Sequence, residues 1–158
     1  MGEFDLVEDV LEGFGCEALF DAVAIQPGKP MVAAVHEGGW VFALPGNPAS
    51  AMVTFYLFVR PALRRLQGFD DRYASNVLRG RLVGPLPGAK GRDRFLPAEV
   101  GFRQGRIDVR PVVPQGSHDV AAYGRGTALV RVPARSKPAE AGAECEVLPL
   151  GDWSATLR

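Results

Sequence analysis

Apolar residues recur along the chain in two rhythms, and the change between them divides it. Leu6, Val10 and Phe14 stand four apart, with Val7 and Leu11 beside them, a spacing that predicts one apolar helical stripe over Asp5–Phe14. Asp5 and Glu8 resemble a capping box ahead of it, and Gly13 and Gly15 end it. Ala18–Ile25 is an apolar run of strand length, interrupted by Asp21 and closed by the loop Gln26-Pro27-Gly28-Lys29-Pro30. Met31–His36 and Trp40–Leu44, separated by a glycine turn, predict a hairpin. After Leu44-Pro45-Gly46-Asn47-Pro48 the residues Ala49–Gln67 are apolar on nearly every side, the pattern of a helix buried in a core. Asn47 suits its N-cap and Pro48 its first position, where a missing N–H costs nothing; Pro61 predicts a kink or a break and Gly68 a stop.

Beyond Gly68 the period shortens. Val77–Val83, Arg94–Val100, Arg106–Val113, Thr127–Val132 and Glu144–Leu150 recur between Gly/Pro turns, several alternating apolar with polar residues, which predicts a small all-β barrel. The expected architecture is an α/β part over residues 1–70 followed by a β-barrel domain over residues 71–158, with the boundary near residues 68–75.

Charge adds a constraint. The 18 basic and 18 acidic residues cancel, so no global field draws nucleic acid or an anionic membrane, and an anionic ligand must be held by a local site. No apolar run approaches the ~18 residues needed to span a bilayer, and the acidic start MGEFDLVED is unlike a leader, so a cytoplasmic protein is expected. Cys16 and Cys145 lie far apart without metal-ligand spacing, which suggests neither a disulfide framework nor a zinc site.

The loops carry the candidate chemistry. PGKP and LPGNPAS each follow a strand, and the second leads into the long helix, where unpaired N–H groups and the positive end of the macrodipole can receive an oxyanion. Gly28, Lys29, Pro45, Gly46, Asn47, Pro48 and Ser50 are therefore candidate ligand-binding residues; a tight strand-to-helix turn with a good cap is the alternative. Asp5 reads as a helix cap or as a carboxylate beside Mg²⁺. Ser117 and His118, in PQGSHD, form either a solvated turn or a polar contact to a neighbouring ligand; sequence neighbours do not make a Ser-His-Asp triad. The basic stretch Arg79, Arg81, Lys90, Arg92 and Arg94 lacks interleaved aromatics and reads as a solvated barrel rim.

Taken in order and spacing, Gly2-Glu3-Phe4-Asp5, PGKP, FALPGNPASA, PALRRLQG and PQGSHD resemble the MoeA and gephyrin E-domain family, the molybdopterin molybdenumtransferases. The resemblance runs from residue 2 to about 150 and implies the latter part of a molybdopterin-binding α/β domain followed by the family's C-terminal β-barrel. It further implies insertion of molybdate into molybdopterin-adenylate with AMP release, assistance by Mg²⁺, and a homodimer. By motif position Asp5 resembles the family's acidic metal-side residue, Pro45 and Pro48 the cleft prolines, and Ser117 the active-site serine of the last domain, so Asp5 and Ser117 are the catalytic candidates.

The chain departs from the family in several places. Many relatives carry lysines at Ala22 and Gln26 and an arginine near Pro97, which leaves Arg92 and Arg94 as substitute anion holders. The family's glycine-rich loop would lie just upstream of Gly2, so a fragment is expected whose partner is the N-terminal half of the same enzyme. Two rival readings remain: a protein-docking module of the gephyrin type, marked by an apolar groove on the β unit, and a molybdopterin adenylyltransferase, against which the appended barrel speaks.

Overall fold

The computed structural model describes residues 6–69, 77–116 and 118–151. The first helix, α1 (Val7–Gly13), has Leu6 at its N-cap without a side-chain cap; Asp5, and with it the expected Asp5–Glu8 capping box, lies outside the described residues. Its predicted stripe is present but buries nothing, with Leu6 and Phe14 60% and 70% exposed.

Strand β1 (Glu17–Phe20) does not continue to Ile25 as expected. The chain turns at the exposed Asp21 and Ala22, the Val23 N–H donating to the Lys29 carbonyl at 3.0 Å, and Ile25–Gln26 forms a separate short strand, β2. β1 pairs antiparallel with β3 (Val32–His36), and β3 with β4 (Gly39–Ala43), giving the order β1-β3-β4. Glu37 and Gly38 both hold positive φ, 46° and 79°, which a two-residue hairpin turn requires for its twist to match the strands.

The long helix is continuous but not uniform: α2 (Pro48–Thr54), one π-helical turn (Phe55–Val59) and α3 (Arg60–Leu66). At Pro61, where a kink or a break was expected, the helix carries that wide turn just upstream. The proline ring donates no hydrogen bond and crowds the carbonyl four residues back, so the chain loosens there and the Arg60 N–H reaches the Phe55 carbonyl. At the start, Asn47 Oδ1 accepts from the N–H groups of Ala49 at 3.0 Å and Ser50 at 3.3 Å, the cap expected from the sequence.

The second half closes into a barrel of β5 (Leu78–Leu82), β6 (Asp93–Arg103), β7 (Arg106–Pro111), β8 (Ala128–Val132) and β9 (Glu144–Pro149), with a short helix α4 (Val120–Arg125) before β8. Around the barrel the order runs β6-β7-β5-β9-β8 and back to β6. Ala98, mid-way along β6, faces Pro111 of β7 on one edge and Ala128 of β8 on the other. β2 extends the β7 edge, pairing in parallel with Asp93 and Arg94.

Alternation along the strands sorts side chains between two cores. Leu96, Ala98, Ala128, Val130, Val132, Cys145 and Val147 fill the barrel. Phe95, Leu129 and Leu148, one residue out of phase, belong to a different cluster, with Ala49, Val53 and Leu57 of the long helix and Tyr123 of α4. The helix is thus seated on the outer face of the barrel, while Phe58 on another side meets Phe20 of β1 at 6.0 Å between ring centroids.

Substitutions at two contacts, with one control, test this framework. Gly28 holds φ at 111°, and a Cβ there would stand 2.6 Å from Thr54 Cγ2 of α2. Gly28→Ala is expected to lower stability by roughly 2 kcal/mol or more in thermal or urea unfolding, whereas Gly91→Ala, with nothing within 4 Å of its Cβ, stays within about 0.5 kcal/mol. Asn47→Ala is expected to cost about 1 kcal/mol and to speed hydrogen exchange at the Ala49 and Ser50 amides first. A third prediction concerns acid. The N–H groups of Ala122 and Gln115 donate to the Asp119 carboxylate at 3.0 and 3.2 Å and hold its pKa below the usual 3.8. Because the folded pKa is the depressed one, this cap is complete above pH 3.8 and is lost as pH falls through the folded value. Exchange at the Ala122 amide is expected to accelerate on acidification through that window, and Asp119→Ala to remove the pH step.

Candidate functional site

The PGKP loop is rigid for local reasons. Pro27 and Gly28 are buried, and Gly28 packs on Thr54, whose Oγ1 donates to the Ser50 carbonyl at 2.9 Å. Lys29 stands exposed at the tip. The loop therefore leans on the first turns of α2, and two of the sequence motifs are tied together by one contact.

In LPGNPAS, Pro45 and Ser50 are buried while Gly46 and Pro48 are exposed. The helix's own first amides are already used. Pro48 has none, Ala49 and Ser50 donate to Asn47 Oδ1, and Ala51 donates to the Asn47 carbonyl at 2.8 Å. Main-chain donors left in this loop are the N–H groups of Gly46 and Asn47, which have no partner among the described residues.

Across from the PGKP loop lies the PQGSHD turn of the barrel. Asp119 fixes it by capping α4 and binding the Gln115 N–H together. Ser117, like Asp5, is outside the described residues, but its neighbour Gly116 is placed. Gln26, Pro27, Arg94, Leu96, Pro114, Gly116 and Tyr123 enclose a cavity of about 40 Å³ where the first loop meets the barrel. The pairing of β2 with β6 creates it, because that pairing sets Gln26 level with Arg94.

Of the groups in this cavity, Tyr123 was not predicted as a site residue, and Arg94 was read both as a rim cation and as a substitute anion holder. Tyr123 donates its hydroxyl to the Phe95 carbonyl at 3.1 Å; burial raises its pKa to about 12, so it stays protonated at neutral pH. Arg94, expected on a solvated rim, lines the cavity instead, its Nη1 donating to the Gly88 carbonyl at 3.3 Å. Arg92 does remain exposed, reaching the Ile25 carbonyl at 3.5 Å. The residues of LPGNPAS do not line this cavity; their link to the PGKP loop runs from Ser50 through Thr54 to Gly28.

Other features bear on partners. Leu19, Phe20, Trp40, Phe42, Phe58 and Pro61 line an open apolar groove of about 260 Å³ between the β1-β3-β4 sheet and the helix. Among the described residues no three His, Cys, Asp or Glu side chains come together to hold a metal ion, and no helix is long and apolar enough to cross a membrane.

The two parts of the chain match two family models: residues 1–65 the "Probable molybdopterin binding domain" and residues 79–150 the "MoeA C-terminal region (domain IV)". A Haemophilus influenzae protein named molybdopterin molybdenumtransferase is 37% identical over 82% of this chain and 32% of its own length. The Drosophila melanogaster molybdenum cofactor synthesis protein cinnamon is 33% identical over 94% of this chain and 25% of its own. A crystal structure of a molybdopterin biosynthesis MoeA protein from Pyrococcus horikosii superposes with a TM-score of 0.74 at 31% identity, over 94% of this chain and 36% of that one. The chain thus spans about a third of the length of relatives such as these. In fold, motif order and sequence alike, it belongs to the MoeA family of molybdopterin molybdenumtransferases and corresponds to the C-terminal part of its longer members.

Proposed function

We propose that this chain acts in molybdenum cofactor biosynthesis, supplying part of the cleft in which a complete molybdopterin molybdenumtransferase inserts molybdate into adenylylated molybdopterin with release of AMP. The observation that carries this reading is the meeting of the PGKP loop, the turn that holds Gly116, and Arg94 around one small cavity. Family membership names the chemistry, and the geometry supplies what it needs: rigid loops on two sides of a site for a compact oxyanion.

The work of these residues is positional and electrostatic. Pro45 and Pro48 hold the Gly46 and Asn47 amides in a fixed orientation, so little backbone entropy is lost when an oxygen-rich group arrives. Lys29 contributes charge at the rim, Ser50 and Gly28 the packing that keeps both loops in place, and Ser117 a hydroxyl from the barrel side. Mg²⁺ supplies charge neutralisation at phosphate when bound; from this chain it would draw on Asp5, with the remaining ligands from water, phosphate oxygens and the upstream polypeptide.

That upstream polypeptide is the proposed partner, and the apolar groove beside Trp40 together with the uncovered stripe of α1 gives it a surface to bury. Homodimerisation and a cytoplasmic location follow the same family reading. A docking module of the gephyrin type would want its apolar groove on the barrel, whereas the groove found here lies on the α/β part.

The test is reconstitution. This chain, mixed with the upstream part of the Haemophilus influenzae relative, molybdopterin-adenylate, Mg²⁺ and molybdate, is expected to release AMP and to yield active cofactor. Pro48→Ala is expected to slow the reaction on the order of ten-fold, because a loosened loop misplaces the reacting groups, with little change in melting temperature. A stably associated pair that releases no AMP would rule the reading out.

A further inference from the structure

The chain as a whole is neutral, but its charges are segregated. Residues 86–94 and 133–138, two loops far apart in sequence, hold five cations between them and one carboxylate, Asp93. Main-chain contacts press these loops together at the end of the barrel where β6 begins and β8 finishes. The Arg135 N–H donates to the Lys90 carbonyl at 2.6 Å, and the Ala89 N–H to the Ser136 carbonyl at 3.2 Å. A Cβ on Gly88 would collide with the Ser136 carbonyl oxygen, so only glycine permits the approach. Lys90, Arg92, Arg135 and Lys137 stand exposed on the joined loops, and among the described residues none of them has an ion-pair partner. Asp93 does not offset them, because it already accepts from Arg131 Nε at 2.7 Å and from the Ala134 N–H at 2.8 Å. The next acid along the chain, Glu140, follows the Leu86–Ala139 bridge that ends the loop pair.

Arg135 gives the sharpest sign that the charge itself matters. Its φ is 60°, the left-handed region that favours glycine or asparagine, yet the position holds an exposed arginine. Neither loop contains an aromatic residue on which a base could stack, and neither exposes a large apolar side chain that could enter a bilayer.

This surface adjoins the cavity without being part of its wall. Arg92 Nη1 donates to the Ile25 carbonyl at 3.5 Å, next to Gln26 of the cavity, and Arg94 Nη1 donates to the Gly88 carbonyl at 3.3 Å. Lys90, Arg135 and Lys137 do not line the cavity. Four residues of chain carry Lys90 at most roughly 14 Å from Arg94, under two Debye lengths of about 8 Å at physiological ionic strength. Exposed cations at that range do not hold a ligand in one geometry. They raise its concentration at the opening and the rate at which it arrives.

We propose that this barrel end is an electrostatic entry surface, drawing small phosphate- or oxymetallate-bearing anions from solvent toward the opening beside Gln26. The inference rests on the proposed function for which anions these are; the field itself does not depend on it.

Paramagnetic relaxation of the backbone amides of this chain by an anionic nitroxide, set against its neutral analogue, reads the field directly. The anionic probe is expected to exceed the neutral one about two-fold at the Gly91 and Lys137 amides and by less at Gln26. No excess is expected at Gly101, where Glu99 and Asp108 stand beside Arg103 and Arg110. Lys90→Gln, Arg135→Asn and Lys137→Gln together, all at exposed positions and with asparagine tolerant of positive φ, are expected to abolish the excess, and Arg103→Gln with Arg110→Gln to leave it. In the reconstituted pair the triple variant is expected to raise the KM of the anionic substrates roughly three- to ten-fold at low ionic strength with kcat unchanged, the difference fading in high salt. Equal enhancement by the two probes at Gly91 and Lys137, an excess there that does not extend to Gln26, or an excess that survives the triple variant overturns the proposal. The two readings fail separately. An active parent pair whose KM and salt dependence the triple variant leaves untouched removes the entry surface and keeps the function, whereas a field that reaches Gln26 with no AMP release from the parent pair removes the function and keeps a surface that gathers anions.

Discussion

Val53 and Leu57, one turn apart on the long helix, pack with Phe95, Leu129 and Leu148 on the outside of the barrel, and this seam fixes everything that matters for the cleft. Each such side chain contributes roughly 1.5–3 kcal/mol when fully buried. Val53 is 0% and Leu57 9% exposed, so the seam is dry and not a loose contact. The same helix carries Thr54 against Gly28, and the barrel carries Arg94 and Gly116. Seating one on the other, together with the pairing of β2 with β6, therefore sets the PGKP loop opposite the PQGSHD turn.

The π-helical turn makes the seam compatible with Pro61. A strictly α-helical path would press the proline ring on the Leu57 carbonyl; the wide turn relieves it while Leu57 still faces the barrel and Phe58 the β1-β3-β4 sheet. One helix thus serves two apolar surfaces. On its second side the burial is incomplete: Trp40 and Leu63 remain 52% and 47% exposed. On its first side the helix is covered by the barrel, and the sheet side leaves an apolar face exposed.

How far the sequence discloses this depends on the range of the interaction. Asn47 and Pro48 are legible because a cap acts on the next three residues, and the Glu37-Gly38 turn because its dihedrals are local. The barrel strands are legible from alternation, and the motif order reveals the family. The split of Ala18–Ile25 is not legible: Ile25 and Gln26 join β6, some seventy residues on, and nothing between them announces it. Helix α4 hides within a turn-like string because its cap, Asp119, reads equally as a turn residue. Arg94 looks like one more rim cation among several, and its burial comes from the β2 pairing and the adjoining turn. A signal for the seam was present: Phe95, Leu129 and Leu148 are apolar at positions where an exposed barrel face would be polar.

The central claim is that the seam holds the two loops at one separation, ready for a ligand. Pulsed dipolar spectroscopy addresses it directly, with spin labels on Lys29→Cys and Gln115→Cys in a chain whose half-buried Cys16 is replaced by serine. One narrow distance distribution, unchanged by added molybdate, is the outcome this account requires. A broad distribution that sharpens only with the anion would contradict it, because the ligand, and not the packing of Val53 and Leu57 on the barrel, would then be what brings the loops together.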